Sequence, residues 1–210
     1  FAIFLNELPG RKARKFVQTV TTVPYFISWI LVYSLAFAMF ATDSGAFNRL
    51  LMDLGVIDSG LNILGSGKNV YLSMALYGWW KGLGWGAIVY LASLNSIDQE
   101  LYEAAAVDGA GRFQKIWHIT IPGLMPTFIT LLLMSIGSFL STGTEQYLVF
   151  QNAFNKSQIE ALDLYVYNLG IGSNNIPYST AIGIMKSIIG LFLLFVSNTA
   201  SGKIRGEKIF

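Results

Sequence analysis

The chain has 210 residues, of which 53% are hydrophobic and only 12% charged, and its mean hydropathy is +0.52. Soluble domains carry about 25% charged residues, so this composition excludes a water-covered globule. The net charge is +2, but the 14 basic residues are scattered between apolar runs and form no nucleic-acid patch. Cysteine is absent, which excludes disulfides, thiolate metal sites and cysteine nucleophiles. His118 is the single histidine, so no multi-histidine metal site exists, and a Ser-His-acid triad would rest on one histidine beside an amphipathic interface. No catalytic residue and no metal ligand is assigned.

A spanning helix needs about 20 mainly apolar residues, and several runs meet that length. Residues 1–8 start abruptly in apolar sequence, with neither a charged leader nor a small-residue cleavage site, and read as the tail of a helix. Arg11, Lys12, Arg14 and Lys15 separate it from a first expected span, residues 17–41, with a kink at Pro24. Residues 42–69 mix Asp43, Asp53 and Asp58 with five glycines and a helix-like stretch at 47–54, an ordered polar loop too interrupted to span. Within it Gly65, Ser66, Gly67 and Lys68 resemble part of a phosphate loop. Asn69 follows where Ser or Thr is required, and Asn62 stands in place of the first glycine, so no nucleotide site is expected.

The second expected span covers residues 70–94. Gly78, Gly82 and Gly86 recur every four residues and predict a smooth face for close helix packing. Lys81 lies near its middle, where an unpaired charge costs about 2.5–3.5 kcal/mol on insertion scales, and is expected to face the bundle or a wet cavity. A polar segment, 95–121, precedes a third span at 122–143; a mixed segment, 144–177, precedes a fourth at 178–200. The expected fold is therefore an all-α polytopic transmembrane bundle, with four complete spans and one partial, in a single domain 1–210.

Basic residues in short loops prefer the cytoplasm. With the start inside, Arg11, Lys12, Arg14, Lys15, Arg112, Lys115, Lys203, Arg205 and Lys208 are cytoplasmic, against Arg49, Lys68 and Lys156 outside. Nine against three places segment 95–121 and the C-terminus in the cytoplasm, and segments 42–69 and 144–177 on the other side. Lys186, like Lys81, falls inside a span, and its role stays open.

The cytoplasmic segment reads as helix, break, helix. Residues 97–107 are good helix formers, Gly109 and Gly111 supply the break, and residues 112–119 resume before Pro122 opens the next span. Ala104, Ala105 and Ala106 make a smooth patch that a partner can approach closely, and Glu103 and Asp108 offer carboxylates to its basic groups. An amphipathic surface helix with Phe113, Ile116 and Trp117 embedded in lipid accounts for the same residues.

The order Glu103-Ala104-Ala105, Asp108-Gly109-Ala110, then the isoleucines and Pro122, resembles the EAA loop of ATP-binding-cassette (ABC) importer permeases. The likeness extends to Val23-Pro24-Tyr25-Phe26-Ile27-Ser28, to Trp80-Lys81-Gly82-Leu83-Gly84-Trp85 and to Leu164-Tyr165-Val166-Tyr167, which are similar to the carbohydrate-uptake branch, oligo- and polysaccharide type. Members of that branch usually have six spans, so the resemblance implies that the earliest helices are missing here. It also implies a coupling loop in which Glu103 pairs with a basic residue of an ATPase, Ala104 and Ala105 pack into its cleft, and Gly109, between Asp108 and Ala110, lets the loop turn. The implied partners are an ABC ATPase dimer that carries ATP and magnesium, a second, homologous but non-identical permease and an extracytoplasmic solute-binding protein. This chain itself would bind no cofactor and would sit among the lipids of the bacterial inner membrane.

For a sugar cargo, Glu145, Gln146, Asn152 and Tyr165 of the outward segment offer hydrogen bonds and aromatic faces, and Tyr25, Trp29 and Lys81 lie within spans where a path would run. An interfacial aromatic belt and ordinary helix packing explain these residues equally well. A permease for a non-sugar solute is the nearest alternative. An ATPase-independent secondary transporter is a more distant one, since no carboxylate lies in the middle of the four complete spans.

Overall fold

The computed structural model describes residues 1–65 and 70–205, with side chains through residue 202. Ser66 to Asn69 of the phosphate-loop-like run, and Lys208 of the tail, lie outside the described residues. The described residues are helical and contain no strand: α1 (Ala2–Glu7), α2 (Arg11–Thr22), α3 (Trp29–Phe40), α4 (Ala46–Asp53), α5 (Val70–Asn95), α6 (Gln99–Val107), α7 (Arg112–Lys115), α8 (Ile121–Gly137), α9 (Thr144–Phe150), α10 (Lys156–Ile159), α11 (Leu162–Tyr167) and α12 (Ile176–Arg205). Lipid satisfies no backbone group, so a spanning segment must close its hydrogen bonds internally, and the helix is the element that does so.

Among the described residues, two helices are long and apolar enough to cross a membrane, Arg112–Gly137 and Ile176–Gly202. Their outward side chains, among them Ile188, Leu191, Phe192 and Phe195, are largely exposed, as surfaces facing lipid must be. Among the described residues, not every expected span is one continuous helix. The first expected span is a broken pair, Arg11–Phe26 and Trp29–Phe40. Pro24 sits in a tight 3₁₀ turn, Val23–Phe26, and extended Ser28 then starts a new helix, its Oγ accepting from the Leu31 N–H at 3.4 Å. Proline thus ends the first helix instead of bending it. Helix α5 has 26 residues, about 39 Å at 1.5 Å per residue, so its length suffices, although its glycines, tryptophans, tyrosines and Lys81 leave it less apolar than the other two. The third expected span begins earlier than Pro122 and ends earlier than residue 143, because α7 runs through a π turn, Ile116–Thr120, directly into α8. The i→i+5 spacing of that turn is seen in the Ile121 N–H bonding the Ile116 carbonyl, and it makes room for Pro122, which can neither donate nor tolerate a close preceding carbonyl.

The chain divides into two compact units, Phe1–Tyr25 with Trp80–Ser138 and Gly190–Phe210, and Phe26–Trp79 with Phe139–Ile189; α5 and α12 contribute to both. The first unit packs Ala2, Ala87, Leu94 and Leu124 with Ile3, Tyr90, Leu91 and Ile97, and Thr127 Oγ1 donates to Ser93 Oγ at 2.8 Å between α8 and α5. Its close crossings use other glycines than the expected set. A Cβ on Gly84 would lie 2.3 Å from the Thr21 carbonyl of α2, and one on Gly190 2.6 Å from the Gly137 carbonyl oxygen. Gly82 and Gly86 meet nothing within 4 Å, and Gly78 comes no nearer than 3.7 Å to Gln146. Two residues advance a helix by about 200°, so Gly84 occupies the face opposite Gly82, and that face is the one that meets α2.

In the second unit, Val32, Ala36, Val70, Met74, Phe150, Ile159 and Leu164 form the core. Phe150 meets Tyr33 edge-on at 5.2 Å between ring centres and stacks on Tyr77 at 5.0 Å. The 42–65 stretch is folded around Asn48, which has no exposed surface. Its amide donates to the carbonyls of Ala41 and Leu61 at 3.0 Å each, and its oxygen accepts from the Leu61 N–H at 3.1 Å.

The same unit explains Lys186. Its ammonium pairs with Asp163, whose other oxygen accepts from the N–H groups of Thr142 at 2.8 Å and Gly143 at 3.2 Å. Burial pushes the Asp163 carboxyl up, but the Lys186 hydrogen bond and charge and the two N–H donors together hold it below the usual carboxylate range. One carboxylate therefore closes the turn where Gly143 takes φ +83° and neutralises a cation of α12.

Two predictions follow from these buried polar groups. Asn48→Ala strands one N–H and two carbonyls and is expected to lower unfolding free energy by about 2–3 kcal/mol, read as earlier thermal unfolding in detergent. Asp163→Ala strands a lysine and two N–H groups, Lys186→Met only one carboxylate contact, so the aspartate variant is expected to lose more, about 2 kcal/mol or above. Because the Asp163 carboxyl is depressed, its contribution is present at neutral pH and fades as pH falls below about 3.9. The difference in melting temperature between wild type and Asp163→Ala should shrink over that range.

Candidate functional site

Residues 98–121 fold as a helix, a sharply defined turn and a second helix that continues into the membrane. Asp98 caps α6, its carboxylate accepting from the Glu100 N–H at 3.0 Å, and Glu100 adds negative charge at the positive end of the helix dipole. The far end is closed by paired bonds: the Gly109 N–H reaches the Ala106 carbonyl at 3.1 Å, and the Ala110 N–H the Ala105 carbonyl at 2.8 Å. This is a Schellman closure, and it requires the left-handed conformation that Gly109 adopts at φ +78°. Gly111 is extended instead, φ −69° and ψ 168°, and its N–H is taken by Gln114 Oε1 at 2.7 Å as α7 begins. Of the two expected break glycines, only Gly109 uses a conformation that other residues avoid.

The turn is fastened to the helix that follows. Tyr102 Oη and Thr120 Oγ1 lie 2.9 Å apart, so α6 is pinned against the π turn. Between them lies an open depression of about 310 Å³ lined by Ala105, Asp108, Gly109, Ala110, Lys115 and His118 among others. Glu103, Ala104 and Asp108 are exposed, while Ala105 and Ala110 are half-buried. Ala105, Gly109 and Ala110 thus line the depression with Asp108 as its one carboxylate, and Glu103 and Ala104 are exposed on the same helix, a surface that admits a close-fitting partner and offers it charge. His118 is exposed, with Nδ1 3.0 Å from the Gln114 carbonyl. Phe113 is 85% exposed and Trp117 70%, one turn apart on the same face. All six residues proposed for coupling, Glu103, Ala104, Ala105, Asp108, Gly109 and Ala110, therefore fall in one continuous structural element.

The residues proposed for a solute path do not gather in the same way. In the first unit, Lys81 Nζ donates to the Tyr25 carbonyl at 2.6 Å and lies 5.3 Å from the centre of the Tyr25 ring. That ring stacks on Trp85 at 4.5 Å with only 6° between planes. Trp85 follows Lys81 by four residues on α5, and the i,i+4 spacing brings both to Tyr25. In the second unit, Trp29 packs half-buried against the core. Gln146 is buried, its amide donating to the Met74 carbonyl at 2.8 Å, and Asn152 donates to the Leu64 carbonyl while accepting from the N–H groups of Phe154 and Asn155. Those two amides hold the fold. Glu145 and Tyr165 are exposed. Trp85, Asn48 and the Asp163–Lys186 pair were not identified as partners from sequence, since residues 13 to 60 positions apart carry no periodic signal that joins them.

Comparison with known proteins identifies the family and the fold. The model of the family described as binding-protein-dependent transport system inner membrane component covers residues 1–205. The chain is 40% identical to protein LplB of Bacillus subtilis (strain 168), over 100% of this chain and 65% of that protein. It is 37% identical to the polygalacturonan/rhamnogalacturonan transport system permease protein YteP of the same organism, over 100% and 64% respectively. The chain thus spans somewhat less than two thirds of the length of these relatives. A crystal structure of a bacterial ABC transporter that imports the acidic polysaccharide alginate superposes with a TM-score of 0.91 at 31% identity, covering 97% of this chain and 71% of that one. With the family model matched along nearly all of its length and the helical arrangement shared with a solved transporter, the chain belongs to the binding-protein-dependent transport system inner membrane components.

Proposed function

We propose that this chain is the membrane-embedded permease of an ABC importer that moves an oligo- or polysaccharide inward by alternating access, driven by ATP bound with magnesium on a separate ATPase. The observation that carries the proposal is the α6 turn: small residues and the Asp108 carboxylate around one depression, held by a Schellman closure, in continuity with a 26-residue spanning helix. A partner that pulls on this turn moves the cytoplasmic end of that span directly. Energy released by closure of the ATPase dimer would enter there, with Glu103 and Asp108 engaging basic groups and Ala104 and Ala105 seated in the cleft. Under this reading segment 95–121 and the C-terminus are cytoplasmic, in keeping with the nine-to-three distribution of basic residues.

A sugar cargo is supported by the printed functions of relatives, which include permeases for polygalacturonan/rhamnogalacturonan and for arabinooligosaccharides, and by the alginate importer. That importer has also been solved with an alginate pentasaccharide-bound periplasmic protein, which supports the reading that a solute-binding protein docks on the extracytoplasmic side of this chain. A second permease, homologous and non-identical, completes the pathway. The stacked Tyr25 and Trp85 rings, both partly exposed, suit the face of a pyranose ring, and Lys81 beside them suits a hydroxyl or carboxylate. Glu145 and Tyr165 remain as outward contacts.

The first test is a cysteine at Ala105, in a chain that has none of its own, crosslinked to single cysteines in the cleft of the host's ATPase. A crosslink whose yield changes with ATP is the expected result; none at any cleft position would favour an ATPase-independent transporter. Uptake of oligogalacturonides, alginate oligomers and arabino-oligosaccharides then separates a sugar cargo from a non-sugar one.

Gly109 provides a graded test. No atom lies within 4 Å of the space its Cβ would occupy, so substitution strains the backbone alone, by about 1–2 kcal/mol for an ordinary residue and less for asparagine. Expected transport falls in the order Gly, Asn, Ala, Val, while ATP hydrolysis by the assembled transporter is retained. Equal uptake across the series would remove the turn from the coupling path.

A further inference from the structure

The coupling turn is fastened to a second part of the first unit through Arg112. This residue opens α7, directly after Gly111, and its guanidinium makes two contacts with one residue 105 positions earlier: Nε pairs with the Glu7 carboxylate, and Nη2 donates to the Glu7 main-chain carbonyl. Glu7 is the last residue of α1, where carbonyls have no partner further along the helix. The neighbouring carbonyl, that of Asn6, accepts from Arg14 Nη2 of α2. Two arginines, one leaving the coupling turn and one on α2, therefore close the same helix end, across the short connection in which Gly10 takes φ +88°. A planar guanidinium that engages a carboxylate and a carbonyl together fixes orientation as well as distance, which a lysine cannot do.

Stability does not account for this arrangement. The Arg112 side chain is 60% exposed and that of Glu7 28%, and exposed ion pairs add little. The apolar packing of α1 lies at its start, where Ala2 and Ile3 meet the Leu124 cluster; around the pair itself Phe113 and Trp117 point outward, and α2 has no buried residue.

We infer that Arg112 and Glu7 form a transmission link, through which displacement of the coupling turn carries the α1–α2 connection with it. Arg112 is a positioning residue in this scheme, and Arg14 extends the link to α2. The inference rests on the coupling role proposed above for the α6 turn.

The test uses the chain assembled with its host's second permease and ATPase, and a reporter cysteine at Ala13, an exposed position of α2. Maleimide labelling of the reporter is followed without nucleotide and with ATP trapped by vanadate, a readout that needs no identified cargo. Expected is an at least threefold change in labelling rate on trapping. Arg112→Glu or Glu7→Arg alone should abolish the change while ATP hydrolysis stays within twofold, and the double reversal should restore at least half of it. Glu7→Gln and Arg112→Gln, read in the same way, replace any reversal that fails to reach the membrane. The link is overturned if trapping leaves Ala13→Cys labelling unchanged in the parent, if single variants retain the change, or if the double reversal is no better than the worse single. The Ala105 crosslink, measured in the same assemblies, separates the two levels: a crosslink that persists while the link fails leaves the coupling turn standing, and its absence removes both.

Discussion

Every break in a helix that sits in or beside a bilayer exposes N–H and carbonyl groups that lipid cannot satisfy, and the organisation of this chain follows from how those breaks are closed. At the end of α1 two arginine side chains reach the free carbonyls. Between the halves of the first expected span Ser28 caps the new helix. After α8, Asp163 takes the N–H groups of Thr142 and Gly143. In the 42–65 stretch Asn48 donates to the Ala41 and Leu61 carbonyls and accepts from the Leu61 N–H. Charged residues are only 12% of the chain, and these side chains stand where the backbone changes direction. A low charge content is therefore compatible with several turns, provided each charged or amide group is placed at one of them.

This also explains how the ionisable residues inside spans should be understood. Lys186 is neutralised by Asp163, and the carboxylate serves a turn at the same time. Lys81 reaches the Tyr25 carbonyl, next to the proline turn in which the first span is interrupted. In both cases the hydration of a cation in an apolar helix is replaced by an oxygen that belongs to a turn or closes one, a carbonyl for Lys81 and a carboxylate for Lys186.

The helical class, the polar loop with its short helix, and the turn after α6 were legible in the sequence because each depends on local chemistry: apolar run length, the helix formers of 97–107 and the Gly109 break that follows them. The π turn was not, since Pro122 read as a helix start and the accommodation of its ring is spread over the five residues before it. The Gly78, Gly82 and Gly86 face was legible as a pattern, yet Gly84 makes the contact, because spacing identifies a face without saying which neighbour meets it. Gln146 and Asn152 illustrate the same limit for polar residues. Their type suits sugar hydroxyls, and only the fold reveals that carbonyls of residues 72 and 88 positions away have claimed them.

The π turn at Ile116–Thr120 has a consequence for insertions and deletions. A π turn holds one residue more than an α-helix of the same height, and each residue accounts for about 100° of rotation. Loss of one residue between positions 116 and 120 would convert the segment to α-helix with little change in length, yet it would swing the Ala105–Ala110 turn about a quarter of the way around the axis of the membrane helix. Chain length there acts as a rotational setting, so homologues that differ by one residue at this point would present the turn to a partner from a different side.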